Sequence, residues 1–242
     1  MNLFLAKTTR VISSSSQKTP AILGLLLFCA ALAGCKSLPA NSLATHDSSR
    51  WAKDMATFKA SDATNPPPRD CIVFVGSSSV RLWKTLAQDF PDMPVVNRGF
   101  GGSQLADVYT FADQIVIPYK PRQVIIYAGG NDINAGKDPK LVFGDMAALA
   151  ARIKDALPHT RVGVISIAPS PSRWAQVEKV REYNRLAENY CTAHKMDFIN
   201  VFPLMLGPDG NPLPDIYVKD RLHMNEKGYA IWKKTVEPYL IK

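Results

Sequence analysis

Four short segments of this chain carry side chains that could do nucleophilic chemistry together. Asp220-Arg221-Leu222-His223 sets a carboxylate three residues before an imidazole. In a turn, that spacing lets both lie on one side. The carboxylate can then accept the Nδ1 proton, fix the tautomer and leave Nε2 free as a base. Gly76-Ser77-Ser78-Ser79 supplies hydroxyls, which are poor nucleophiles until a neighbouring base takes the proton. Asn97-Arg98-Gly99-Phe100-Gly101-Gly102-Ser103 and Gly129-Gly130-Asn131-Asp132 supply free backbone N–H groups and one amide. Such donors can hold a developing oxyanion. Taken singly, each segment has a plainer reading. These are a serine helix cap, two glycine turns, and an N-cap aspartate beside a solvated histidine. The other histidines compete weakly as bases. His46 lies in a polar N-terminal stretch, His159 in a turn, and His194 at a helix end, where a cationic imidazole suits the dipole.

The elements around these segments alternate. Apolar runs at 71–75, 94–97, 123–127, 162–167 and 197–201 predict short strands, several of them buried on both faces. Between and after them, 80–90, 105–119, 139–157, 174–194 and 225–240 carry helical spacing of apolar residues. A short helix is expected from 49 to about 60, where Trp51, Met55 and Phe58 fall on one face, before the breaking run Pro66-Pro67-Pro68. Alternation of this kind implies βαβ units and an α/β fold. The expected architecture is a three-layer α/β/α sandwich around a mainly parallel five-stranded sheet. Sites in such sheets lie at the carboxyl ends of the strands. Three of the four segments follow strands directly, and the Asp-His segment precedes the last helix. Pro169-Ser170-Pro171-Ser172-Arg173-Trp174 follows the fourth strand and should border the same edge. Arg173 or Trp174 could touch a ligand there, although a tryptophan at a helix start is more often a packing anchor.

The N-terminus stands apart from this pattern. Lys7, Arg10 and Lys18 precede a charge-free apolar run at 21–31, too short for a bilayer span and of the right length for a signal-peptide core. It ends in Leu32-Ala33-Gly34-Cys35, which resembles a bacterial lipobox. Residues 1–34 are therefore expected to be a signal peptide. Cys35 is the expected lipidation site, 35–47 a tether, and 48–242 a single catalytic domain. Lys36 after Cys35 leans toward the periplasmic face of the outer membrane. Loss of the signal lowers the formal charge from +8 to +5, and no block of like charge marks a nucleic-acid partner. Cys71 and Cys191 could pair in an exported protein or be small buried residues. No metal-site spacing appears, and no cofactor is expected.

Together, the four segments resemble the sequence blocks of the SGNH, or GDSL-like, hydrolases. Residues 73–83 are similar to the first block, whose nucleophile falls on Ser78. Residues 97–103 match the second, with Gly102 as an oxyanion glycine. Gly130-Asn131 match the third, with Asn131 as an oxyanion amide. Asp220 and His223 match the last, as acid and base. The resemblance implies a flavodoxin-like sandwich and a serine esterase with no metal or cofactor. The oxyanion would be held by the Ser78 and Gly102 N–H groups and the Asn131 side chain. Its substrates would be short-chain, acetyl or lysophospholipid-type esters. Glycan O-acetyl esters, or a non-catalytic envelope binding lipoprotein of the same fold, are the alternatives. The family's Gly-Asp-Ser is here Gly76-Ser77-Ser78, so Ser77 replaces a supporting aspartate, and three serines stand in a row.

Overall fold

Residues 38–242 are described by the computed structural model; Cys35 and the signal segment lie outside the described residues. The strands are β1 (Ile72–Gly76), β2 (Val95–Gly99), β3 (Gln123–Tyr127), β4 (Arg161–Ile165) and β5 (Asp197–Ile199). The helices are α1 (Ala52–Thr64), α2 (Ser78–Arg81), α3 (Leu86–Asp89), α4 (Leu105–Ile115), α5 (Gly130–Asn134), α6 (Pro139–Ala156), α7 (Val177–Ala193) and α8 (Glu226–Val236). All strand pairs are parallel, in the order β2-β1-β3-β4-β5. The expected three-layer sandwich is the observed one.

Side-chain alternation along the strands divides the core in two. Val73, Val75, Val124, Ile126, Val162 and Val164 face one layer, where they pack against α1, α4, α6 and α7. Ile72, Phe74, Ile125, Ile165 and Ile199 face the other, against α2, α3 and α8. The strands are apolar on both faces because both faces are covered. The second layer is rich in aromatic edge contacts, with Trp83 against Phe74, Phe90 and Trp232 at 5.7–5.8 Å.

Register brings the loops together. Gly76 pairs with Gly99 on one side and Tyr127 on the other, so β1, β2 and β3 end level. The chain leaves β1 toward β2 on one side and later returns to β3 on the other. The crevice between β1 and β3 is thus the point where strand order reverses, the usual place for a ligand in an open α/β sheet.

Several expectations differ in detail. The helix expected over 80–90 is two short helices, α2 and α3, bridged by Leu82–Thr85. The Trp83 indole and Thr85 hydroxyl both donate to Asp89 Oδ2, at 2.8 and 2.7 Å, and pin that corner. The helix expected from Trp174 begins at Val177, after a 3-10 turn over Pro171–Gln176. Cys71 and Cys191 are both buried and free, so they form no disulfide.

The stretch expected to be a tether is docked on the domain from Ala40 onward. Gly144 of α6 has no Cβ, and one placed there would stand 1.8 Å from the Ala40 carbonyl oxygen. Ser42 donates to buried Asp145 through both its N–H and its hydroxyl, each at 2.6 Å. His46 Nε2 meets Asp107 Oδ1 at 2.8 Å, and Asp107 is wholly buried.

Candidate active site

The Asp220–His223 segment forms its geometry locally. Asp220 Oδ1 accepts the N–H groups of Leu222 and His223, both at 2.9 Å. This Asx turn is helped by the left-handed Arg221, with φ 58°. The Val218 N–H closes the loop on the His223 carbonyl at 2.9 Å. The fold of the turn leaves Oδ2 facing His223 Nδ1 at 2.6 Å. Partial desolvation works to raise the Asp220 pKa, but the His223 and Leu222 hydrogen bonds outweigh it and hold the carboxyl at about 2. An ionised carboxylate here keeps the proton on Nδ1.

The other ring nitrogen reaches across the fold. His223 Nε2 lies 2.8 Å from Ser78 Oγ, a contact between residues 145 apart in sequence. Ser78 opens α2 directly after β1. Its neighbours are held: the Ser77 N–H donates to the Tyr127 carbonyl at 3.0 Å, and the Tyr229 hydroxyl donates to the Ser79 carbonyl at 2.9 Å. Ser77, at the position of the family aspartate, is almost fully buried. Of the three consecutive serines, Ser78 is the one on the imidazole.

Donors surround this hydroxyl. Among the described residues, neither the Ser78 nor the Gly102 N–H has a protein acceptor. Gly102 has φ +80°, a conformation that favours glycine, and the Trp51 ring covers it. Asn131 is oriented by two partners. Arg173 Nη2 donates to its Oδ1 at 3.0 Å, and its Nδ2 donates to the Ser103 carbonyl at 2.9 Å. Arginine has no acceptor, so the amide oxygen must face it. That leaves the second Nδ2 hydrogen free, and Asn131 borders the same cleft as Ser78, Gly102 and His223.

Beneath these donors lies a buried charge cluster. Asp132 Oδ2 accepts the Leu105 N–H at 3.2 Å, and its Oδ1 accepts Lys137 Nζ at 3.0 Å. Lys137 also donates to the Ser42 hydroxyl at 2.9 Å. Burial pushes the Asp132 carboxyl up to about 6 against the pull of Lys137. The docked N-terminal stretch also touches the glycine loop. Arg50 Nη2 donates to the Gly102 carbonyl at 3.1 Å, and Asp107, the partner of His46, accepts the Gln104 N–H just after that loop at 2.8 Å.

Two spaces open beside Ser78. One is an open polar cleft of about 330 Å³ walled by Trp51, Asp54, Arg81, Arg173 and His223. The other is a more enclosed recess of about 50 Å³, lined by Ile167, Val177, Val180, Phe202 and Met224 together with Ser170, Arg173 and Gln176. A hydroxyl on an imidazole on a carboxylate, beside free N–H donors and a small recess, can attack a carbonyl and hold the resulting oxyanion.

Of the sequence-expected residues, Ser78, Gly102, Asn131 and His223 therefore stand around one cleft, and Asp220 backs His223 from outside it. Arg173 borders it but is engaged with Asn131 and with the Gly130 carbonyl at 3.1 Å, whereas Trp174 packs against the core. Sequence reasoning missed Trp51, Asp54 and Arg81. Arg81 was within reach of it, since i+3 spacing from Ser78 puts the two on neighbouring positions of a helix.

The profile of the GDSL-like lipase/acylhydrolase family matches residues 70–231, from β1 into α8. Among solved structures, the chain is similar to a GDSL-like lipase from Bacteroides thetaiotaomicron. That match has 24% identity and a TM-score of 0.68, and covers 77% of this chain and 96% of the other. It is also similar to a catalytic mutant of an acetylxylan esterase from Geobacillus stearothermophilus. There the identity is 16% and the TM-score 0.59, over 72% of this chain and 95% of the other. No curated protein matches the sequence significantly. Identities this low show a shared fold, whereas the family match spans most of the described chain. The protein belongs to the GDSL-like lipase/acylhydrolase family.

Proposed function

We propose that the protein is a serine esterase working through an acyl-enzyme, with Ser78 as nucleophile, His223 as general base and Asp220 as its orienter. The observation that carries this reading is the continuous chain Ser78 Oγ–His223 Nε2–Nδ1–Asp220 Oδ2, at 2.8 and 2.6 Å. In the first step Nε2 takes the Ser78 proton as Oγ bonds to the ester carbonyl carbon. The carbonyl oxygen becomes an oxyanion held by the Ser78 and Gly102 N–H groups and the Asn131 amide. The imidazolium, stabilised by Asp220, then protonates the departing alcohol. Water repeats the sequence on the acyl-enzyme and releases the acid. The small recess supports an acetyl or other short acyl group. Its enclosed form beside Ser78 and its partly polar lining, which includes Ser170, Arg173 and Gln176, suit a short acyl group better than a fatty acyl chain. The lipobox-like sequence at Cys35 supports a lipid anchor in the cell envelope, and Lys36 supports the outer membrane.

Hydrolysis of p-nitrophenyl esters of increasing chain length, with Ser78→Ala beside the parent protein, tests this. The expected result is fastest turnover of acetate, a steep fall beyond butanoate, and a loss of about 10³-fold or more in the variant. Equal rates in parent and variant would remove Ser78 from the chemistry. Absence of turnover with every ester would leave a non-catalytic binding protein.

A further inference from the structure

The recess and the cleft differ in chemistry, and the difference bears on the leaving alcohol. If the acyl group occupies the recess, the alcohol lies in the polar cleft. One wall of that cleft is the guanidinium of Arg81, one helical turn beyond Ser78. It lies against the backbone of the glycine loop. A Cβ on Gly101 would stand 2.7 Å from Arg81 Nε and 3.0 Å from Nη2. Glycine at 101 therefore makes the space that the guanidinium fills beside the cleft, while the Arg81 side chain stays exposed to solvent and to an incoming ligand.

Arg81 makes no ion pair or side-chain hydrogen bond among the described residues. No carboxylate lies within 4 Å of it among the described residues, as is also true of Arg69, Arg122, Arg173, Arg185 and Arg221, but of these only Arg173 shares the cleft. The guanidinium carries five N–H donors in a planar fork suited to carboxylate or phosphate oxygens. Arg173, the other cation in the cleft, is already turned toward Asn131. Asp54 lines the same cleft, where its carboxylate can accept hydroxyl groups.

We infer that Arg81 selects substrates whose leaving alcohol carries an anionic oxygen group, a carboxylate or a phosphate, close to the ester. This rests on the esterase reading above and names the substrate class for the same site. A hydroxyl-rich alcohol with one such group, as in an acidic sugar or a polyol phosphate, fits the wall of Arg81, Asp54 and Trp51.

The test compares kcat/KM of the purified full chain on three acetate esters of similar leaving groups: neutral 4-acetoxybenzamide, 4-acetoxybenzoate and 4-acetoxyphenyl phosphate. The expected result is a preference for at least one anionic ester over the neutral one of about tenfold, the worth of one charge-assisted hydrogen bond in a partly solvated site. Arg81→Gln should bring that ratio to about one, Arg81→Glu should invert it, and Arg81→Lys should keep part of it. Preference for the benzoate identifies a carboxylate as the recognised group, and preference for the phosphate identifies a phosphate. Turnover of the neutral ester with no anionic preference, or a preference unchanged in Arg81→Gln, overturns the inference and leaves the esterase reading standing. No turnover of any of the three overturns both.

Discussion

Arg173→Met should lower kcat while Asn131 is still in place, because the guanidinium acts through the amide. Arg173 contributes one charge-assisted bond to Asn131 Oδ1, at 3.0 Å, and a second to the Gly130 carbonyl, at 3.1 Å. Without it, the Ser103 carbonyl alone orients the amide. A neutral hydrogen bond of about 1 kcal/mol still favours the productive orientation roughly fivefold, so the amide mostly stays in place. What is lost is the polarisation of the donor and its rigid seat. The floor of the effect is one charge-assisted bond, about 1.5 kcal/mol or tenfold. The ceiling is the whole oxyanion donor, about 3–4 kcal/mol, up to 10³-fold. A fall in kcat of about 10- to 100-fold is expected, with a smaller change in KM. The decisive assay is a double-mutant cycle on p-nitrophenyl acetate. Arg173→Met combined with Asn131→Ala should be no worse than Asn131→Ala alone, within about threefold, because both act at one donor. Additive losses, or a single variant within threefold of the parent, would refute the reasoning and make Arg173 an ordinary wall residue.

Two further outcomes concern the supports beneath the site. Asp132, at about 6 when folded against 3.8 normally, binds a proton more readily in the folded state. Its contribution to stability is therefore fully present below about pH 4 and is lost as pH rises through 6. The difference in urea-unfolding free energy, parent minus Asp132→Asn, should fall between pH 4.5 and 7; a flat or rising difference would refute this. His46→Ala leaves buried Asp107 with the Gln104 N–H and the more distant Arg50 guanidinium, and should cost about 1–3 kcal/mol in urea unfolding. His46→Gln should recover part of that loss, and a neutral His46→Ala would mean that the His46–Asp107 contact contributes nothing.

Much of the site was legible because its signals are local. The apolar runs of β1 and β3 end in glycine-rich turns, and sheet topology alone sends those turns to one edge. Asp220 and His223 declare themselves through a turn spacing that needs no knowledge of the rest of the chain. The unread parts depend on long-range partners. Ser42 and His46 sit in a polar, small-residue stretch with the composition of a linker, yet their partners Asp145 and Asp107 lie 103 and 61 residues away. A helical period also cannot tell one helix over 80–90 from two. The break is set by Trp83 entering an aromatic cluster with Trp232, far along the chain. The Arg173–Asn131 contact likewise joins residues 42 apart, so the sequence offers two candidate polar groups but not their bond.

The docking of Ala40 against Gly144 also sets a leash length. If Cys35 carries the lipid, only five Cα-to-Cα steps separate the anchor from the first chain segment fixed to the domain. Fully extended, they reach about 18 Å. The enzyme would then ride almost against the headgroups, with little freedom to turn over. Its cleft would sweep only a thin shell of the envelope next to the bilayer, and polymers further out would have to come to it.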